Sequence, residues 1–195
     1  MSRKEEIVEG SLKIISALAQ VRIKELEGVS DILRAKMQAG LLGALNTLAE
    51  NQRQGSECCE KEICYLCIEF LLSSIVTRSY DFQISLYDER LHLDPKPCVV
   101  YWRPPLLFDK AEEDMEDMLR ELKSKVIALR ADEAEESRKA YLLTVHYLLV
   151  EMFVEVYFKD TVLKSGLCEL AKGKSVELLY GGYMDKMKLI GRLEQ

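Results

Sequence analysis

Apolar positions in residues 4–27 fall at Ile7, Val8, Leu12, Ile14, Ile15, Leu18, Val21 and Leu26, with charges between them. This is a helical period, and Gly28 is a natural stop after its last turn. Ser30 is placed as the cap of a second helix, whose apolar line runs through Leu33, Met37, Leu41, Leu45 and Leu48. Ala35, Ala39 and Gly43 form a stripe of small residues on that helix, which suits close packing against a neighbour. The pattern fades over 51–56, and a third helix is predicted over roughly 60–78.

Period two replaces helical period at residue 80. Tyr80, Phe82, Ile84 and Leu86 alternate with Asp81, Gln83, Ser85 and Tyr87, the pattern of a strand with one face buried. Leu91-His92-Leu93-Asp94 alternates again, Pro95 and Pro97 flank a turn, and Cys98 to Trp102 is rich in β-formers. Two or three short antiparallel strands are predicted, closed by Arg103-Pro104-Pro105.

No glycine or proline occurs from Leu106 through Ser165. Asp109 with Glu112, and Asp132 with Glu135, read as helix caps with their acids one turn on. Met115, Leu119, Leu122, Val126 and Leu129 form a narrow coiled-coil-like seam on a fourth helix. The seam dies in a polar stretch, so a bend is predicted near Arg130–Asp132. The fifth helix, about 133–163, is apolar around most of its girth, with Thr144, Glu151 and Glu155 on one narrow stripe. After Gly166 come a short helix, the Tyr180-Gly181-Gly182-Tyr183 segment and an amphipathic tail.

Together these elements predict one domain over 1–195, mostly α within the α+β class. Five to six helices would bundle around the hydrophobic fifth helix, with a two- or three-stranded antiparallel β-element inserted at about 80–103. A chain of this length buries roughly 70% of its unfolded surface and needs no metal or disulfide to fold.

Charge narrows the partners. The chain carries a net charge of −6, and its basic residues are scattered. Nucleic acid is therefore not an expected partner. The apolar run Ala140–Phe158 approaches a membrane span in length, but Glu151 and Glu155 interrupt it, at roughly 2.5–3.5 kcal/mol each. No membrane association is expected. Charges recur at Glu9, Lys13, Arg22 and Lys24, with no leader-like apolar stretch. Six cysteines, two of them adjacent, then suggest reduced thiols in the cytoplasm.

Candidate chemistry is sparse. Cys59, Cys64, Cys67 and Cys98 have the spacing of a plant-type iron–sulfur site. However, Cys64 and Cys67 sit among bulky apolar residues, where cysteine serves as a small hydrophobe. A zinc site built from Cys58 or Cys59 with Cys64 and Cys67 lacks a fourth ligand. No metal or other cofactor is expected. His146 lies on an apolar side of the fifth helix and reads as a core residue. Phosphate-binding loops and nucleophile elbows are missing.

His92 and Asp94 stand at i and i+2, on one face of a predicted strand, opposite the polar face of Asp81, Gln83, Ser85 and Tyr87. With Trp102 and Arg103 nearby, and Tyr87 and Asp88 as neighbours, they form a candidate ligand-binding site. In it His92 would be ligand or base, Asp94 its orienting carboxylate and Arg103 an anion clamp. The leading expectation is a different one: a non-enzymatic, self-associating helical interaction or regulatory protein. The site around His92 and Asp94 is the alternative, and a cysteine-based metal or redox site is the third reading.

Overall fold

The computed structural model describes residues 3–54, 61–126, 128–145, 154, 158–170 and 175–193. The chain divides into two compact units, one of Met1–Ser30 with Pro105–Met152, the other of Asp31–Pro104 with Phe153–Gln195.

The first unit contains α1 (Arg3–Glu27), α4 (Ala111–Lys125) and α5 (Ala131–Val145). α1 buries Ile7, Ile14, Ile15 and Ala19, α4 buries Met115, Met118 and Leu122, and α5 buries Tyr141, Leu142 and Val145. The predicted bend stands between α4 and α5. The caps differ from the predicted ones. Lys110 precedes α4 with no side-chain cap. At α5 the Arg130 amide donates to Glu133 Oε2 at 2.9 Å, so the capping acid is Glu133 rather than Glu135. One polar knot joins all three helices. Arg22 donates through two guanidinium nitrogens to buried Asp114, and the Tyr141 hydroxyl donates to Asp114 Oδ2 at 2.5 Å. The Asp114 bonds hold the Arg22 guanidinium more firmly protonated than usual, against the opposing effect of burial.

The second unit is built on a five-stranded mixed sheet in the order β3-β2-β1-β4-β5. Its strands are β1 (Tyr65–Phe70), β2 (Phe82–Tyr87), β3 (Cys98–Trp102), β4 (Val176–Gly182) and β5 (Met187–Leu193). β1 is antiparallel to β2 and parallel to β4, and the remaining pairs are antiparallel. Helix α2 (Asp31–Gln54) lies on one face through Met37, Leu41, Leu45 and Leu48. Cys98 Sγ meets the Leu48 carbonyl at 3.6 Å, and a side chain at Gly40 would meet Trp102 Nε1 at 3.4 Å. Leu66, Ile68, Phe82, Ile84 and Leu178 supply the sheet's side of that core. Short helices α3 (Leu72–Thr77) and α6 (Lys159–Leu163) complete the unit.

This architecture overturns the expected helical bundle with a small β-element at 80–103. The predicted third helix over 60–78 is instead the central strand β1 followed by the one-turn-and-a-half α3. A short apolar run does not distinguish a buried strand from a buried helix, and β1 is buried on both faces. The amphipathic tail is the β4–β5 hairpin. Within the inserted region, β2 and β3 form as expected, but Leu91–Leu93 is a 3-10 turn and not a strand. The fifth helix is described as α5 to Val145, and its predicted continuation falls mostly outside the described residues, with His146, Glu151 and Glu155. Among the described residues no helix is long and apolar enough to cross a membrane.

Candidate functional site

Alternation puts Tyr65, Cys67 and Glu69 of β1 on the sheet face opposite α2, with Gln83, Ser85 and Tyr87 of β2 beside them. Glu69 pairs across the ladders with Gln83 on one side and Gly181 on the other, and its carboxylate is fully buried. Burying a lone carboxylate costs several kcal/mol, so its bonds matter. Oε2 accepts from the Tyr87 hydroxyl at 2.9 Å, the Ser85 hydroxyl at 3.1 Å and the Gln83 amide at 3.3 Å. Oε1 accepts from His92 Nε2 at 2.5 Å.

Three features position the His92 ring. Its Nε2 is committed to Glu69. The rings of Tyr87 and Tyr183 meet it edge-on, with centroids 5.4 and 5.6 Å away. The preceding Leu91 takes a φ of +52°, a left-handed conformation that costs a leucine roughly 1–3 kcal/mol and lets the 3-10 turn drop His92 onto the sheet. His92 Nδ1 has no hydrogen-bond partner among the described residues, and the side chain keeps 15% exposure. An imidazole with one nitrogen on a buried carboxylate and the other open can accept a proton or a ligand's hydrogen bond.

The neighbours are inert. Burial, reinforced by Glu69, pushes the Cys67 thiol far above its ordinary range, and Tyr87 is raised by burial as well. Cys67 therefore remains a thiol, and Tyr87 remains a hydroxyl able to donate.

The four residues predicted to share a site are placed apart. Only His92 joins the polar cluster. Asp94 binds Lys61 instead, with Nζ to Oδ2 at 2.5 Å. Lys61 also donates to the carbonyls of Leu86 and Lys96 at 3.1 and 3.0 Å. Asp94 further accepts the amides of Asp88 and Lys96. Burial raises the Asp94 carboxyl, but Lys61 and the two amides outweigh it and leave it below the usual carboxylate range. Trp102 pairs with Phe82 on the opposite sheet face, and Arg103 lies over the Tyr80 ring at 5.7 Å. Tyr87 does reach His92, while Asp88 is bound by Arg90, whose guanidinium lowers its carboxyl. The sequence pattern does not single out Glu69, because it predicts a helix there. Its signal was an acid inside the unbroken apolar run from Ile63 to Leu72.

Among the described residues the candidate cysteines do not assemble. Cys64 and Cys67 are three residues apart in extended chain, and Cys98 lies on the α2 side. Cys58 and Cys59 are outside the described residues. Among the described residues no group of three His, Cys, Asp or Glu side chains could hold a metal ion.

The first unit has a different feature, a groove of about 670 Å³ between α1 and α5. Ile7, Val8, Leu12 and Ala140 give it an apolar lining. Val8 and Leu12 are 49% and 50% exposed. At its edge Glu133 is held by Arg3 at 2.8 and 3.0 Å, which lowers its carboxyl to about 2.

Comparison with protein-family models, with curated proteins and with solved structures finds no match to this chain. The functional reading therefore rests on these two places.

Proposed function

We propose that the protein is a self-associating interaction protein, and that the α1/α5 face of its first unit is the contact surface. The observation that carries this reading is the groove itself, with Val8 and Leu12 half exposed along it. Its edge carries both signs of charge, with Arg3 and Arg130 beside Asp132, Glu133 and Glu136. In a two-fold dimer one patch meets its own copy, and a patch of mixed sign does so without like-charge repulsion.

Magnitudes set the expected strength. Covering the exposed halves of Val8 and Leu12 on both copies contributes about 3–6 kcal/mol. Association costs about 4–15 kcal/mol in lost freedom. These two side chains alone do not offset that cost, so the remainder of the groove must also fill, and the dimer is expected to be weak and reversible. A cytoplasmic setting belongs to the same proposal, and the thiols of Cys64, Cys67 and Cys98, none of them in a disulfide, support it.

Sedimentation velocity over a concentration series tests the proposal. The expected result is a concentration-dependent dimer that reverts to monomer in the Val8→Glu, Leu12→Glu double variant. A wild-type chain that remains monomeric at high concentration, or a double variant that dimerises as before, overturns it.

A further inference from the structure

The polar cluster under His92 is more than the sheet requires. An apolar side chain at position 69 would pack between Gln83 and Gly181 without the desolvation cost of a carboxylate. Instead, four donors converge on Glu69, and a strained Leu91 sets the histidine above it. The result is a held imidazole. In the tautomer that carries its proton on Nε2, that nitrogen donates to Glu69 and Nδ1, without a hydrogen-bond partner among the described residues, is the acceptor, which is the disposition of a general base oriented by a carboxylate.

The surroundings limit what can reach Nδ1. Tyr65, Leu91 and Met187 pack about Tyr87 and Leu179, and the Tyr183 ring stands against His92. These side chains are uncharged, and the buried Glu69 carboxylate disfavours an approaching anion. We propose that His92 is a general base acting on small neutral esters at this face of the sheet, an activity independent of the association proposed for the first unit. Nδ1 takes a proton from water as the water oxygen bonds to the ester carbonyl carbon. The bond from that carbon to the alcohol oxygen then breaks, and the proton passes from Nδ1 to the departing oxygen. Ester and water become acid and alcohol, and His92 is restored. Glu69 is a positioning residue, since it acts through the ring and not on the substrate.

The probe is p-nitrophenyl acetate, followed by release of p-nitrophenolate. Wild type is expected to exceed an equal concentration of free imidazole, with a loss on the order of a hundredfold in His92→Gln. Glu69→Gln should lower kcat and leave KM unchanged, a split that a merely loosened fold would not produce. Because either variant could unfold, the wild-type protein is also treated with diethyl pyrocarbonate and mapped by mass spectrometry. Carbethoxylation of His92 in the folded chain, with parallel loss of hydrolysis, is the expected result. Three outcomes overturn the proposal: wild type no faster than imidazole, full activity in folded His92→Gln, or His92 unmodified by the reagent.

Discussion

Lys61→Met is the sharpest test of how the turn carrying His92 is held. The ammonium has three acceptors, Asp94 Oδ2 and the carbonyls of Leu86 and Lys96, and the side chains of Lys61 and Asp94 keep only 13% and 2% exposure. Methionine preserves the apolar stem and removes the charge. Asp94 then remains buried with only the amides of Asp88 and Lys96 as donors. Breaking a buried pair from one side costs about 3–5 kcal/mol, and the surviving amide bonds place this case at the lower end, about 3 kcal/mol. The loss should depend on pH. Asp94 titrates below its ordinary value in the folded chain, so its contribution is fully present above an unfolded pKa of about 3.9. That contribution is lost as pH falls through the lower folded value. In the variant Lys61 no longer holds the carboxyl down, so the gap between wild type and variant is widest near neutrality and closes as Asp94 protonates in acid. Urea denaturation of both proteins at a series of pH values from neutrality down to about pH 2 measures this. A neutral-pH difference under about 1 kcal/mol, or one unchanged in acid, would refute the reasoning.

Tyr141→Phe removes the hydroxyl that donates to buried Asp114, and a hydrogen bond to a charged group is worth about 1.5–3 kcal/mol; chemical denaturation of the variant should show a loss in that range. Two glycines should respond with opposite sign. A Cβ at Gly181 would stand 2.3 Å from the Lys186 carbonyl oxygen, while one at Gly43 meets nothing within 4 Å. Gly181→Ala should therefore destabilise the chain by at least about 1–3 kcal/mol, and Gly43→Ala, inside α2, should raise stability by about 0.5–1 kcal/mol, both read from the urea midpoint.

What the chain's pattern revealed divides by how long each element is. α1 and α2 run for 25 and 24 residues, enough turns for the period of Ile7, Ile14 and Ile15, or of Met37, Leu41 and Leu45, to exclude any other structure. β2 was legible too, because Gln83 and Ser85 interrupt its apolar positions every second residue. β1 has six residues, five of them buried, so Leu66, Cys67 and Ile68 carry no alternation, and a helix and a strand read alike. That one ambiguity hid the site. With 60–78 read as helix, Glu69 had no neighbour across a ladder, and the polar residues of β2 had no visible partner. The pattern alone then pairs His92 with Asp94, the carboxylate nearest in sequence. Register makes the actual pairing: once β1 lies between β2 and β4, Glu69 must stand beside Gln83, and the hydroxyls of Ser85 and Tyr87 on that face can converge on it. The carboxylate that orients His92 is 23 residues away in sequence, a separation that no local spacing rule reaches. Asp94 is instead the fastening of the turn, through Lys61, so the acid beneath the imidazole is Glu69 and Asp94 stands at the base of the loop that presents it.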